Sequence, residues 1–401
     1  MKYDIAIIGA GVAGVFASLR LTANHPNLKV AMLDIGMPPM KRRRQIEGYL
    51  GCFPTGDGKL YENDKDEVLK IIDGRRVRSA LTWVNTYLKQ VHSMKLIKTP
   101  KLQAAAIKKL EAENYQYKYL NYSQWKPESI HALSRLISEE TENAKNMEYF
   151  FNTEVLDIKH ARKQFIISTS DGEIISKKVI LCTGRSGWRW TTKLYKDLGL
   201  KLEDDTSTFG IRAEISASNM KEYNKSHCLI YRDDLEIGPL SWGGTIIPED
   251  HADLVISSFR SNEDRWRSTK VSFNIFSHIE NTGEGCYQTD RIGKLAFLLF
   301  NDRVSRERIR IFLKNNSQLC LLPEYNWLHE KLEEINKIMP NLLTKGYLHV
   351  PAIAPRVGKI KIKSNLETDI DNLFVAGENA GVSGILAAAI MGTVSAESAA
   401  K

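Results

Sequence analysis

Apolar and polar residues follow two rhythms along this chain, and the rhythm changes at glycine. Residues 3–8, YDIAII, are almost continuously apolar and stop at Gly9. A short apolar run bounded by a turn residue predicts a strand buried on both faces of a parallel sheet. Residues 12–22, VAGVFASLRLT, then place apolar positions at helical spacing, and residues 29–34, KVAMLD, return to a strand-like run. Strand, helix and strand in that order predict a βαβ unit at the start of the chain.

Residues 35–60 are irregular and rich in Gly, Pro and basic side chains, and 62–118 read as mostly helical and polar. Residues 128–144 predict an amphipathic helix opened by Pro127, with Ile130, Leu133, Leu136 and Ile137 as its apolar stripe. MEYFFNTEVLDI, KQFIIST and EIISKKVILCTG follow, with a Ser170-Asp171-Gly172 turn between the last two. This pattern predicts an antiparallel meander feeding a buried strand, VILCTG, that returns to the main sheet. Residues 195–350 mix short strands and turns with helical stretches near 301–314 and 324–338. The final pattern is an apolar strand, NLFVAG, and a glycine-punctuated helix over 384–399.

At 401 residues the chain predicts two or three lobes. Apolar content of 43% and charged content of 26% fit a globular protein and argue against general disorder. The net charge of +8 favours anionic partners such as phosphorylated cofactors or nucleic acid, or else is a solvated Lys-rich surface. The longest basic run, Lys41-Arg42-Arg43-Arg44, is too short for a tail. Cys52, Cys182, Cys228, Cys286 and Cys320 are odd in number and contain no CxxC, so neither a disulfide framework nor a zinc site is expected, and a reducing, cytoplasmic setting fits. The nine histidines show no HxH or HExxH, and no metal is expected. The N-terminus lacks a signal-peptide pattern, and the membrane-like stretch GVSGILAAAIMGTVSAESAA carries Ser, Thr and Glu, so no membrane span is expected.

Gly9-Ala10-Gly11-Val12-Ala13-Gly14 is a GxGxxG loop between a predicted strand and a predicted helix. That context turns a weak pattern into a strong one. Gly9 permits the tight turn, Gly11 lets backbone approach a pyrophosphate, and Gly14 allows helix–strand packing. The helix N-terminus adds N–H groups and partial positive charge. Asp34, at the end of the second strand, is placed for an adenosine ribose. Two further segments point to FAD rather than NAD. Thr183-Gly184 ends VILCTG and resembles the Ala-Thr-Gly segment of glutathione-reductase-type flavoproteins. NLFVAGENAGVSG resembles their second fingerprint: an apolar strand, Gly377, acidic Glu378, then a glycine-rich helix start at Gly384 and Ile385. An acidic residue there suits the ribityl chain, and the helix N-terminus suits the electron-rich edge of a reduced flavin.

Three stretches resemble bacterial FAD-dependent, NAD(FAD)-utilising dehydrogenases: GCFPTGDGKL at 51–60, LGLKLEDDTSTFGIRAEI at 198–215, and LFVAGENAGVSGILAAAIMG at 373–392. Asn379 stands where that family tends to have Gly. The resemblance implies that backbone at Val155 meets the adenine and that the 51–60 loop lies against the flavin, with Gly56 and Gly58 permitting close approach.

Lys59, in that loop, suits either charge stabilisation at the flavin or an anionic substrate, or pairing with Asp57 or a cofactor phosphate. Cys52 is either redox-active or inert packing, and Cys182 belongs to the core. His349 either faces a substrate or is an ordinary hydrogen-bonded histidine. Arg185, Arg189, Arg212, Arg265, Arg267 and Arg356 are candidate anion contacts, and Trp188 and Trp190 interleave with two of them in GRSGWRW. Basic residues among aromatics suit nucleic acid or a hinge around the adenosine half.

The expected fold is α/β: a discontinuous Rossmann-type FAD-binding domain with an inserted α+β substrate lobe and a helical segment. Its expected parts are residues 1–60, 145–195 and 350–401 for FAD, 61–144 as a mostly helical insertion, and 196–349 as the substrate or cap domain. A second GxGxxG is absent, so no dedicated NAD(P)H domain is expected. The expected activity is hydride transfer between flavin N5 and a small organic substrate, at a C–H next to N or O. One alternative is modification of a nucleic-acid base. Another is a non-catalytic binding protein of the same fold.

Overall fold

The computed structural model describes residues 1–42, 46–203, 207–251, 254–279 and 284–401. Arg43 and Arg44 of the basic run, and Asp204, Asp205 and Thr206 of the 198–215 stretch, lie outside the described residues. The chain divides into two compact units: residues 1–95, 125–205 and 356–401, and residues 96–124 with 206–355. The segment expected as one helical insertion, 61–144, is therefore shared between the two units.

In chain order the elements begin with β1 (Lys2–Ile8), α1 (Val12–Asn24), β2 (Val30–Asp34), β3 (Lys59–Tyr61), α2 (Asp64–Leu69) and α3 (Gly74–Val91). Next come α4 (Ala104–Ala112), β4 (Gln116–Tyr119), β5 (Tyr122–Gln124), α5 (Pro127–Glu142), β6 (Met147–Phe151), β7 (Val155–Ala161), β8 (Gln164–Thr169), β9 (Gly172–Leu181) and α6 (Trp188–Asp197). The strands β10 (Thr208–Ser216), β11 (Cys228–Arg232), β12 (Leu235–Trp242), β13 (Thr245–His251), β14 (Leu254–Arg260) and β15 (Lys270–His278) lead to α7 (Gly285–Leu299). Then follow β16 (Glu307–Arg308), α8 (Ile309–Leu313), α9 (Trp327–Ile338), α10 (Leu342–Lys345), β17 (Tyr347–Ala354), β18 (Leu373–Val375) and α11 (Ile385–Ala399).

The first unit is built on a sheet of order β6-β2-β1-β9-β8-β7, with β18 also on β9. The strands β6, β2, β1, β9 and β18 run parallel, and β7, β8 and the first half of β9 form the antiparallel meander. β9 is long enough to serve both arrangements on one edge: Gly172–Ser176 pair with β8, and Val179–Leu181 pair with β18. Ile5, Ile7, Val179 and Leu181 are at most 1% exposed, as a sheet covered on both faces requires. α11 is buried on nearly every side, which is why it has no polar stripe. It crosses α1 closely: a Cβ on Gly392 would lie 2.0 Å from the Ala13 carbonyl oxygen. No helix among the described residues is long and apolar enough to cross a membrane.

The second unit carries an antiparallel sheet of order β16-β17-β10-β15-β12-β11-β4. Alternation along each strand separates its two faces. Ile211, Ala213 and Ile215 of β10 join Phe273 and Ile275 of β15 and Leu348 and Val350 of β17 in the core, with Leu328, Leu332, Ile335 and Ile338 of α9 in the same cluster. The intervening positions, Arg212, Glu214, Ser272, Asn274 and His349, make the other face polar.

One helical expectation shifts here, and one helix had no counterpart in the sequence pattern. Residues 301–306 are not helical, because Asn301 and Asp302 adopt left-handed conformations that stop α7 (φ 53° and 56°), and only Ile309–Leu313 of the 301–314 stretch forms a helix. α7 itself has no strong sequence signal, since Gly285 and Gly293 lower its helical propensity. Packing accounts for Gly293: a Cβ there would lie 2.8 Å from the Ile353 side chain.

Candidate functional site

One row of the first sheet aligns the predicted segments. Ile8 pairs with Leu33 on one side and Leu181 on the other, Leu181 pairs with Val375, and Leu33 pairs with Phe150. The residues that follow each strand therefore emerge side by side at the carboxyl edge: Gly9, Asp34, Cys182-Thr183-Gly184 and Ala376-Gly377-Glu378. That edge is where doubly wound sheets bind their ligands.

The glycine loop is shaped by close backbone contacts. Gly9 has φ +102°, and a Cβ there would lie 2.5 Å from the Cys182 carbonyl oxygen. A Cβ on Gly14 would lie 1.9 Å from the Gly9 carbonyl oxygen. Gly11 differs: the nearest atom to its Cβ would be the Cys182 oxygen at 3.7 Å. α1 starts there with no side-chain cap and no acidic residue in its first turn. An uncapped helix N-terminus behind a loop with room above Gly11 fits a pyrophosphate. Ala13 packs against the fingerprint from below, its Cβ 3.4 Å from where a Cβ on Gly377 would stand.

Asp34 turns toward this loop. One carboxylate oxygen accepts from Ala10 N–H and the other from Gly36 N–H, each at 2.6 Å. Burial raises the pKa of its carboxyl group, against those two N–H groups and the Arg42 charge, which oppose the rise. A third N–H, from Gly48, also bonds the carboxylate, which leaves one of its four lone pairs for a ribose hydroxyl. The backbone beyond β6 runs alongside: Thr153 N–H donates to the Asp34 carbonyl and Asn152 N–H to the Gly36 carbonyl, both at 3.0 Å. Val155, two residues on, opens β7 and pairs with Thr169 of β8.

Asn379 joins the remaining two segments. Its Oδ1 accepts the Gly184 N–H at 3.0 Å, and its Nδ2 donates to Thr183 Oγ1 at 2.9 Å. The Thr183 hydroxyl also bonds the Thr191 hydroxyl at 2.7 Å. Gly184 has φ +62°, with open space where a Cβ would project. Glu378 pairs with Arg185 through two bonds, from Nη2 at 2.8 Å and Nε at 3.2 Å. At the start of α11, Gly384 has φ +116°, and a Cβ would overlap the Asp64 carboxylate. Ile385 begins the helix, which has no side-chain cap.

A family profile, pyridine nucleotide-disulphide oxidoreductase, matches residues 3–225, more than half of the chain. The chain belongs to this family. It is an FAD-dependent oxidoreductase. Among solved structures it is similar to glycine oxidase from Geobacillus kaustophilus, with 12% identity, a TM-score of 0.47, and 99% of this chain and 94% of that chain covered. It is also similar to L-proline dehydrogenase from P. horikoshii, with 11% identity, a TM-score of 0.42, and 99% and 92% covered. No curated protein matches the chain.

Other candidate residues of the oxidoreductase take different places. Lys59 Nζ lies 2.7 Å from Asp57 Oδ2, and both side chains are nearly buried. A Cβ on Gly58 (φ +67°) would lie 2.3 Å from the Trp125 carbonyl oxygen, and one on Gly56 would lie 3.0 Å from the Cys52 oxygen. The absence of a side chain at these glycines thus serves contacts within the chain. No disulfide is formed among the described residues; Cys52 is exposed, and burial raises the pKa of the Cys182 thiol. Trp188 is 3% exposed and Trp190 Nε1 donates to the Leu156 carbonyl, so Trp188 offers no stacking face. Arg265 and Arg267 pair with Glu263 and Asp264, and Arg212 donates to the Ser257 carbonyl. Arg42 carries no motif, yet its Nη1 bonds the carbonyls of Tyr49 and Gly51 at 2.5 and 2.7 Å. Leu50 N–H in turn donates to the Ala10 carbonyl at 2.8 Å, so Arg42 holds a second loop against the glycine loop.

Proposed function

We propose that this oxidoreductase transfers a hydride between flavin N5 and a small organic substrate, at a C–H next to nitrogen or oxygen. When bound, FAD supplies the hydride chemistry itself. The observation that carries the reading is the alignment of Gly9, Asp34, Thr183 and Gly377 along one sheet edge, beside the uncapped start of α1.

In this reading Gly9, Gly11, Ala13 and Gly14 shape the pyrophosphate cradle, and the first-turn N–H groups of α1 meet its negative charge. Asp34 accepts from the adenosine ribose, and backbone at Val155 meets the adenine. Thr183 and Gly184, with Gly377 and Glu378, line the middle of the cofactor. Gly384 and Ile385 present the start of α11 to the flavin end, and Gly56, Gly58 and Lys59 form the loop nearest it. Lys59 counters negative charge there, with Asp57 orienting its ammonium group.

Purified protein reconstituted with FAD is expected to be yellow and to bleach anaerobically with a small amine, amino acid or alcohol. A protein that takes up no FAD overturns the cofactor placement. A flavoprotein reduced by nicotinamides but by no amine, amino acid or alcohol overturns the substrate class.

A further inference from the structure

α7 turns mostly small residues inward. Gly285, Cys286, Thr289, Gly293 and Ala296 are buried, with Ile292 as the large member of that face. The opposite side carries large apolar residues: Tyr287, Leu295 and Leu298 are exposed, Leu298 at 62%. At 3.6 residues per turn these three fall within about 80° of one another around the helix. A helix on the surface of a globular protein ordinarily does the reverse, with its large apolar stripe toward the core.

The short turn Gln318–Leu321 packs beside α7 and adds a fourth residue. Leu321 is 71% exposed, although Leu319 and Leu322 on either side of it are buried. Arg291, on the outward face of α7, pairs with Glu324 at 3.2 Å and so ties this turn region to that face. Single exposed leucines are ordinary on a protein surface, but several gathered on one face mark a place that something covers.

The charges around the patch select what covers it. Both cations on the outward face of α7 are held by neighbouring carboxylates, Arg291 by Glu324 and Lys294 by Asp290 at 3.4 Å. Exposed Glu284 stands at the start of the helix, and exposed Asp302 and Arg303 follow its end. Four carboxylates therefore accompany three cations. An acidic lipid surface or a nucleic acid calls for an excess of positive charge, which this border lacks. A second copy of the same surface calls for both signs in near balance, so that opposite charges meet across a two-fold axis.

We propose that this face is the interface of a homodimer, in which α7 packs against α7 of a second copy about a two-fold axis, with Leu295, Leu298 and Leu321 at the apolar centre. The face lies wholly in the second unit, so the inference stands whether or not the flavin and substrate readings do.

The test is analytical ultracentrifugation of the full FAD-loaded chain across a hundredfold range of concentration. The expected species has twice the 45.5 kDa mass of the chain. Leu298→Glu and Leu321→Glu are each expected to raise the dissociation constant at least tenfold. Both side chains are exposed, so folding is expected to persist, as checked by circular dichroism and by the absorbance of bound flavin. Should glutamate perturb α7, Leu298→Ser removes the apolar contact without adding charge and is expected to weaken the dimer as well. Leu156→Glu, at another exposed leucine on β7 of the first unit, is expected to leave the dimer intact. A chain that is monomeric throughout, or a dimer indifferent to the substitutions at Leu298 and Leu321, overturns the proposal. A monomer that sediments with phosphatidylserine vesicles, and loses that binding in Leu298→Glu, overturns it in favour of a membrane surface.

Discussion

Asn379 bridges two strand ends that are far apart in sequence: its Oδ1 accepts from Gly184 N–H and its Nδ2 donates to Thr183 Oγ1. The residue is fully buried, so no water competes for its amide. Asn379→Ala is expected to destabilise the protein by about 2 kcal/mol, through the loss of these two hydrogen bonds. It is also expected to weaken FAD binding about tenfold, measured by thermal unfolding and by flavin retention on dilution. Unchanged retention would show that the bridge is structural only.

The glycines of the loop separate by what their missing Cβ protects. Gly14→Ala drives a methyl group into the Gly9 carbonyl and is expected to cost more than about 4 kcal/mol, yielding little folded protein. Gly11→Ala meets only van der Waals contact within the chain and is expected to fold normally while losing FAD. Circular dichroism and visible absorbance of the two variants check the contrast.

Acid is expected to destabilise the second unit through His349. The folded-state pKa is about 4, against about 6.5 for an unfolded histidine. The unfolded chain therefore takes up the proton first. The stability due to the neutral buried ring is complete above pH ~6.5 and is lost as pH falls toward 4, amounting to roughly 3 kcal/mol. Glu214 adds loss at lower pH. Burial pushes its carboxyl up, but Lys270, His349 and Arg306 together hold it below the ordinary range, so its stabilising charge disappears as acid titrates it. His349→Gln is expected to flatten the melting-temperature profile between pH 6.5 and 4 and leave the more acidic limb.

Lys59→Met is expected to retain FAD and slow flavin reduction at least tenfold, because the loop keeps its Gly58–Trp125 contact while losing the ammonium group. Asp57→Asn is expected to have a smaller effect, since it loosens the ammonium group without removing it. Stopped-flow reduction of the two variants gives the comparison.

The first unit was readable because its signals are local. β1, β2 and β9 each contain a short apolar run, and α1 and α5 carry helical periodicity beside a glycine loop or an N-terminal proline. Arg42 was not readable as a loop anchor, because a basic run looks like solvated surface until Tyr49 and Gly51 fold back onto it. Asn379 looked like a mere departure from a family pattern, since its partners lie nearly two hundred positions earlier in the chain. Gly56 and Gly58 showed the opposite problem. Their need for small size was visible, but the neighbours that require it, Cys52 and Trp125, emerge only from the fold. In the second unit, the polar row around His349 depends on strand register across β17, β10 and β15, which no single segment encodes.

The crossing of α11 over α1, closed by Gly392 against Ala13, has a consequence for biosynthesis. The glycine loop is made first, but the helix and strand that complete its cradle come from residues 373–399. Contacts between such distant segments form late, because a long intervening loop must close. Until those residues leave the ribosome, α1 and β9 lack their last neighbours and the loop has no pocket around it. FAD capture then awaits residues 373–399, and the nascent chain must shield the exposed edge of β9 until β18 arrives.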